Sequence, residues 1–252
     1  MEIISLGDST LVVRVREQFE DAPEETLDEV LRVFQLLQRA AIPGVIDLAP
    51  AYTSVAVFFD PIAVFKAGAK ADIFDWLNAR LRASFDINGD GPPSGRRRRE
   101  DASAPAGRIK RAALRVVEIP VCYDAEFAPD LDDVAGQAQI SRRQVVDLHS
   151  TADYRVACIG FVPGFPFLAG LPKNLATPRR AIPRKEIPSG SVGIGGAQTG
   201  IYPLRSPGGW NLIGRTPVKL FDPQKDPPTL LRAGDRVRLH AITREQFESS
   251  KE

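Results

Sequence analysis

The sequence predicts a two-domain α+β protein, in which a domain of helices and one sheet precedes a domain built mainly from short strands. The first 85 residues carry predicted elements in the order β, β, α, β, β, α. That order favours two helices packed on one face of a small antiparallel sheet. A stretch rich in Arg, Gly and Pro follows at 86–111. After it, short apolar segments alternate with Gly and Pro, which is typical of a β-barrel or sandwich.

In the N-terminal part, apolar residues at helical spacing and strongly apolar short runs identify the elements. Pro23 stands at a plausible first helical position, where its missing N–H costs nothing. The sequence Ile42-Pro43-Gly44 ends the helix that starts there. The predicted elements are two strands within 2–15, a helix at 24–41, strands at 45–48 and 53–59, and a helix at 70–84.

The stretch at 86–111 is predicted to be a linker between the domains. Its opening residues, 86–91, resemble a calcium-binding loop, but two prolines follow and the twelfth position is Arg97 instead of Glu. Four consecutive arginines begin at Arg96 and end at Arg99. A solvated linker is the preferred interpretation of this run, and contact with nucleic acid or an acidic partner is the alternative.

In the C-terminal part, two helices are expected near its start and strands dominate the rest. Asp130 and Ser141 are predicted helix N-caps, and Ser141 with Gln144 matches a capping box. Another capping box, Thr243 with Gln246, predicts a short final helix. The predicted strands are 114–121, 154–161, 191–195, 198–204, 210–215, 217–221 and 236–242.

The overall composition excludes several classes of protein. The 252 residues are 43% hydrophobic and 26% charged with a net charge of +1, so nothing draws the chain globally to nucleic acid or an acidic membrane. No apolar run reaches 18 residues and the start lacks a basic region, so neither a membrane span nor a signal peptide is predicted. The two cysteines lack metal-ligand spacing, and no metal site is predicted. We therefore expect a soluble cytoplasmic protein.

Residues 160–217 differ from the rest of the chain in composition. They contain 11 Gly and 9 Pro, and seven basic residues against one acidic residue, Glu186. A local charge of +6 with many hydroxyl and amide groups suits a carboxylate or phosphate, which Arg can clamp with two hydrogen bonds. Arg179 and Arg184 follow Pro178 and Pro183, which stiffen the backbone before binding. The predicted anion- or substrate-binding residues are Arg179, Arg184, Ser191, Gln198, Tyr202, Gly208, Gly209, Trp210, Arg215 and Thr216.

The same segment contains no Asp, His or Cys for acid–base catalysis. His149 is the remaining candidate for proton transfer, and its alternative role is a favourable interaction with a helix dipole. Trp210, beside two glycines, has two open interpretations, a pocket or an interface. Phe161, Phe165 and Phe167 are likewise open between a pocket lining and core packing.

Residues 160–217 contain six distinctive motifs: GFVPGFPF at 160–167, TPR at 177–179, IPSGSV at 187–192, QTGIYP at 198–203, SPGGW at 206–210 and IGRTP at 213–217. Together these motifs resemble the family of bacterial 5-oxoprolinase B subunits, also labelled allophanate hydrolase subunit 1 or sporulation-kinase inhibitor. Weaker similarity extends over nearly the whole chain, and the arginine-rich stretch departs from the family pattern.

The resemblance implies a ferredoxin-like α/β sandwich at 1–87, a linker at 88–112 and a cyclophilin-like β-barrel at 113–252. It implies that the chain is the B component of an ATP-dependent 5-oxoprolinase, which converts 5-oxoproline, ATP and water to glutamate, ADP and phosphate. The implied partners are a homologue of the C component, in direct contact, and a homologue of the A component. ATP with magnesium is used by the complex, and the chain alone is expected to be inactive.

Three alternatives accompany this expectation. The first alternative is a regulatory protein that inhibits a sensor histidine kinase. The second is a subunit of an amide hydrolase of the urea amidolyase type. Prolyl isomerase activity follows from fold analogy alone, and the sequence supplies no set of residues for it.

Overall fold

The computed structural model describes residues 1–86 and 115–250, and its chain divides into two compact units, Met1–Leu114 and Arg115–Glu252. The linker predicted at 88–112, with the four arginines, lies outside the described residues. Over the described ranges, no helix is long and apolar enough to cross a membrane.

The N-terminal unit is a four-stranded antiparallel sheet with helices on one face. Its strand order is β1-β2-β4-β3. The elements are β1 (Glu2–Ser5), β2 (Thr10–Arg14), α1 (Pro23–Ala40), β3 (Val45–Ala51), β4 (Ser54–Phe59), α2 (Pro61–Lys66) and α3 (Ile73–Asp86).

The core of this unit follows from alternation along the central strands. Val55, Val57 and Phe59 on β4 are buried and alternate with half-buried neighbours, so they share the face toward the helices. Leu77 and Leu81 of α3 pack in the same cluster. The predicted element order is confirmed except for the additional short helix α2, which was not predicted.

Helix α2 has a side-chain cap at its start. The carboxylate of Asp60 accepts hydrogen bonds from the backbone N–H groups of Ile62 and Ala63. These bonds satisfy two of the donors that the first turn of a helix leaves free. The helix has six residues, too few to leave a clear periodic pattern in the sequence.

The C-terminal unit contains a closed barrel of seven strands. The order is β6-β13-β5-β12-β9-β10-β7, and β7 also pairs with β6. Strands β5 and β13 run parallel, and the other described pairs are antiparallel. The strands and helices are β5 (Val116–Cys122), α4 (Leu131–Ala138), α5 (Arg142–Thr151), β6 (Asp153–Ile159), β7 (Pro166–Ala169), β8 (Arg184–Ile187), β9 (Ser191–Gly195), β10 (Gln198–Ile201), β11 (Ser206–Gly208), β12 (Asn211–Arg215), β13 (Arg236–Ile242) and α6 (Arg244–Ser249).

A barrel was one of the two architectures predicted for this half, and it is confirmed. Both capping boxes are confirmed as well, at the starts of α5 and α6. The strand predicted at 217–221 is wrong, because within it Phe221 alone forms an isolated bridge, to Thr229. Strands β7, β8 and β11, each of three or four residues, were not predicted.

Asp130 precedes α4 as predicted, but its side chain does not cap the helix. The carboxylate instead bonds to residues distant in sequence, which are described with the site below. The ferredoxin-like assignment of the N-terminal unit stays a prediction.

Candidate functional site

The barrel unit contains a pocket of about 240 Å³ on the glycine- and proline-rich segment. It is built where β7, β10 and β11 meet the loop that precedes β8. Five of the predicted residues lie together here. The lining of this pocket, called the aromatic pocket below, consists of Phe161, Phe165, Phe167, Arg179, Arg180, Pro183, Tyr202, Gly208, Gly209 and Trp210.

The pocket floor is a cluster of aromatic rings around Phe165. Its ring centroid lies 5.1 Å from Tyr202 and 5.5 Å from Trp210, both nearly perpendicular to it. Phe167 lies 4.8 Å from Phe165 and 5.8 Å from Trp210. Edge-to-face packing at these distances is favourable, so the floor is apolar and rigid. Phe165 thus belongs both to the core and to the pocket lining. Core packing and pocket lining, the two roles left open by the sequence, are both correct for this residue.

Glycines make room for these rings, which explains why the segment needs them. A Cβ on Gly195 would lie 2.5 Å from Nε1 of Trp210, because the indole ring packs directly on that backbone. A Cβ on Gly208 would lie 2.5 Å from the Tyr202 hydroxyl. Larger residues at these positions would displace the rings that form the floor.

Phe161 lies at the pocket mouth in an uncommon conformation. Its φ of 67° places a non-glycine residue in the left-handed region. The residue is 61% exposed, and its ring centroid lies 5.6 Å from that of Phe165. An exposed aromatic ring on a strained backbone is a feature found at ligand sites.

Arg179 provides positive charge at the pocket. The residue is exposed, and its guanidinium carbon lies 5.9 Å from the Trp210 ring centroid. Within ranges 1–86 and 115–250 it forms no ion pair. Burial raises the pKa of Tyr202, against the Trp210 backbone hydrogen bond and the charges of Arg179 and Arg184, which lower it. The Tyr202 hydroxyl is therefore protonated at neutral pH.

Arg184, predicted to bind an anion together with Arg179, already has an internal carboxylate partner. Its Nη2 lies 2.8 Å from Oδ1 of Asp130, and Nη1 of Arg180 lies 2.7 Å from the same oxygen. A count of local charges misses this pair, because Asp130 lies far outside the counted segment. The anion-binding role of Arg184 stays a prediction.

His149 lies away from the pocket lining, fully buried in the barrel unit. Its Nδ1 lies 2.8 Å from the Tyr123 hydroxyl and its Nε2 lies 2.9 Å from Oγ1 of Thr199. The Thr199 hydroxyl donates to the Gly193 carbonyl, so it accepts from Nε2–H, and Nδ1 accepts from Tyr123. Burial lowers the pKa of His149 from 6.5 to about 3. A neutral imidazole with both nitrogens satisfied suits a structural role, and the proton-transfer role stays a prediction.

Four other predicted residues also lie outside the pocket lining. Ser191 is buried on β9, and Gln198 begins β10 half-buried. Nε of Arg215 donates to the Ser189 carbonyl at 2.9 Å. The Thr216 hydroxyl accepts from the backbone N–H two residues later at 3.2 Å. These positions and contacts give the four residues local structural roles, and their binding roles stay predictions.

The charge of the lining favours this pocket over a larger cavity in the N-terminal unit. That cavity, of about 520 Å³, is lined by a single ionisable residue among those described, the acidic Asp47, which does not suit an anion. Across the described parts of the chain, no cluster of three His, Cys, Asp or Glu side chains is arranged to hold a metal ion.

Comparison with known proteins gives consistent matches. A family model described as carboxyltransferase domain, subdomain C and D, matches residues 1–231. The 5-oxoprolinase B subunit of Bacillus subtilis (strain 168) is 41% identical over 251 residues, covering 100% of this chain and 97% of the relative. A protein of the same name from Escherichia coli O157:H7 is 58% identical over 124 residues, which are 49% of this chain and 57% of the relative.

A solved structure has a similar fold. The crystal structure of TTHA0988 has a TM-score of 0.69 and 36% sequence identity with this chain. The match covers 92% of this chain but 39% of the TTHA0988 chain. The present chain therefore spans less than half the length of that structural relative.

Proposed function

The chain belongs to the carboxyltransferase subdomain C and D family and, within it, to the 5-oxoprolinase B subunits, and from this premise we propose that it is the B component of an ATP-dependent 5-oxoprolinase. The proposed reaction converts 5-oxoproline, ATP and water to glutamate, ADP and phosphate. The single observation that carries the assignment is the full-length match to the Bacillus subtilis protein of that name.

The aromatic pocket supports this proposal by its chemistry. 5-Oxoproline is a small ring with one amide and one carboxylate. The faces of its ring match the apolar floor of Phe165 and Trp210, and its carboxylate matches the guanidinium of Arg179. The protonated Tyr202 hydroxyl is placed to donate to an amide or carboxylate oxygen. We assign recognition of the substrate to these residues.

The remaining chemistry is assigned to the assembled complex. The ring amide is a poor electrophile, and transfer of a phosphoryl group from ATP to its oxygen would supply a leaving group for hydrolysis. We propose that ATP, accompanied by magnesium, is a substrate of a complex with homologues of the A and C components, in which the C component contacts this chain directly. The scarcity of acid–base side chains in 160–217 agrees with a site that the partners complete.

The finer fold and location are part of the same proposal. We assign a ferredoxin-like α/β sandwich to 1–87, a linker to 88–112 and a cyclophilin-like barrel to 113–252. We further propose that the protein acts in the cytoplasm.

Reconstitution tests the function. The chain is co-purified with homologues of the A and C components, and glutamate release from 5-oxoproline is measured with and without ATP. We expect activity only when ATP and all three components are present, and none from this chain alone. Full activity after omission of this chain would contradict the proposal.

A parallel kinase autophosphorylation assay tests the regulatory alternative. Under the proposed function, the chain contributes to glutamate release and needs no contact with a kinase. Inhibition of autophosphorylation without any contribution to glutamate release would favour the regulatory role.

A further inference from the structure

Asp130 has a buried carboxylate that accepts hydrogen bonds from several residues in and near the aromatic pocket. Its side chain is 3% exposed although it stands at the start of a surface helix, α4. Its Oδ1 accepts from Arg180 at 2.7 Å and from Arg184 at 2.8 Å. Its Oδ2 accepts from the Leu212 backbone N–H at 2.7 Å. A carboxylate with three short, partly buried hydrogen bonds fixes the groups around it more firmly than a surface ion pair does.

These bonds join Arg180, which lines the pocket, to strand β12, which begins directly after Trp210. Besides accepting from Leu212, Asp130 donates its own N–H to the Leu212 carbonyl at 3.0 Å. The two bonds fix the start of β12, two residues beyond Trp210 of the pocket floor. Arg180 lines the pocket itself, and its backbone N–H donates to the carbonyl of Gly209 at 2.8 Å. Asp130 therefore connects the arginine-bearing loop to the strand that follows the indole ring.

Arg180 and Arg184 are paired with a carboxylate, whereas Arg179 has no such partner in the part of the chain that the structure describes, and this difference gives the three arginines different roles. One carboxylate serves both Arg180 and Arg184, so the cluster retains an excess positive charge. Nε of Arg180 and Nη1 of Arg184 are buried without a hydrogen-bond partner among the described residues. Asp133, 3.9 Å from Arg180, is 69% exposed and contributes little by comparison. Arg179 lies instead beside the Trp210 ring, exposed at the pocket surface.

We propose that Asp130 is the positioning residue of the aromatic pocket: it holds Arg180 in the wall and Arg184 behind it, so that Arg179 is the guanidinium presented to the ligand carboxylate. The ligand part of this inference rests on the proposed function, because 5-oxoproline is the carboxylate named there. The positioning part rests on the hydrogen bonds of Asp130 alone.

The first test measures positioning without any substrate. The full chain is treated with phenylglyoxal, which modifies accessible guanidinium groups, and labelling of each arginine is followed by mass spectrometry. In the wild type we expect Arg179 to react faster than Arg180 and Arg184, which are partly buried and bonded to Asp130. In Asp130→Asn we expect labelling of Arg180 and Arg184 to rise about tenfold, the equivalent of losing one charge-assisted hydrogen bond. The matched control is Asp133→Asn, which removes the same charge close by and should leave labelling unchanged.

The second test measures substrate recognition in the reconstituted complex. Asp130→Asn should raise KM for 5-oxoproline about tenfold with little change in kcat, because a misplaced wall weakens binding. Asp133→Asn should leave both values unchanged. A merely structural role would lower the amount of active complex and leave KM unaltered.

The outcomes separate the two proposals. Unchanged labelling of Arg180 and Arg184 in a folded Asp130→Asn protein overturns the positioning role, whatever the activity. Absence of 5-oxoproline turnover in the wild-type complex overturns the proposed function, while the labelling result still decides the role of Asp130. If Asp130→Asn does not fold, Arg184→Gln is used in its place. In that variant Asp130 should still protect Arg180 from phenylglyoxal. Labelling of Arg180 as fast as that of Arg179 would overturn the inference.

Discussion

The barrel unit contains two clusters of polar and aromatic side chains that differ in how completely their hydrogen-bonding groups are satisfied. Around His149 each ring nitrogen has a partner, and the imidazole is held neutral. Around Trp210 the rings form a solid floor, but Arg179 has no ion pair among the described residues and Phe161 is exposed on a strained backbone. A buried network in which every polar group has a partner stabilises a fold. The comparison therefore supports a structural role for His149, and it agrees with the proposal that the pocket around Trp210 recognises the substrate.

The largest effect is expected from removing the saturated cluster. His149→Leu leaves the Tyr123 hydroxyl without its partner in a fully buried site. We expect the free energy of unfolding to fall by about 3 kcal/mol, the sum of an unsatisfied polar group and imperfect packing. Urea unfolding measures the change. His240→Gln is the matched control, since His240 is exposed on β13 and its replacement should change stability little. A loss of activity by His149→Leu without a loss of stability would restore the catalytic interpretation.

A steric change beneath the pocket floor should weaken substrate recognition in addition to lowering stability, because Gly195 lies on the buried strand β9 against the Trp210 ring. Gly195→Ala places a methyl group against the Trp210 indole, which must move. Overpacking of about 2 kcal/mol corresponds to a KM for 5-oxoproline raised about thirtyfold in the reconstituted complex. Gly136→Ala, where a Cβ meets no atom within 4 Å, is the control. Equal KM values for the two variants would show that Trp210 is not part of the binding site.

The saturated cluster also predicts a pH dependence. Because the pKa of His149 is lowered to about 3 in the folded protein, only the unfolded chain takes up this proton below pH 6.5. Stability from this group is therefore present above pH 6.5 and decreases as the pH falls toward 3. Between pH 7.5 and 5.5 the wild type should lose about 1.4 kcal/mol more than His149→Leu, which has no such group. Parallel pH profiles for the two proteins would contradict the neutral assignment.

The pocket was more predictable from the sequence than the buried network. The motif SPGGW contains the pocket residues Gly208, Gly209 and Trp210, so a continuous stretch of sequence was enough to select them. The capping boxes and the order of the N-terminal elements were likewise predictable from local patterns.

At the site, the errors and omissions concern contacts that are distant along the chain, whereas those in the fold concern short elements such as α2. His149 meets Tyr123 and Thr199, which are 26 and 50 residues away, and nothing in their spacing indicates a shared site. Asp130 was predicted as a helix cap, because that role is local, whereas its arginine partners lie 50 and 54 residues away. The charge of +6 in residues 160–217 was counted correctly. The fold, however, places the carboxylate of Asp130 against Arg180 and Arg184, and Asp130 lies outside the counted segment.

The most direct test of the comparison is the KM of the reconstituted complex for 5-oxoproline after Arg179→Gln. We predict a rise of about tenfold with kcat nearly unchanged, since one charge-assisted contact to the substrate carboxylate is lost. Arg205→Gln is the matched control, because Arg205 is exposed, pairs with Glu186 and lies outside the pocket lining. Equal KM values for Arg179→Gln, Arg205→Gln and the wild type would contradict the assignment of substrate recognition to the aromatic pocket.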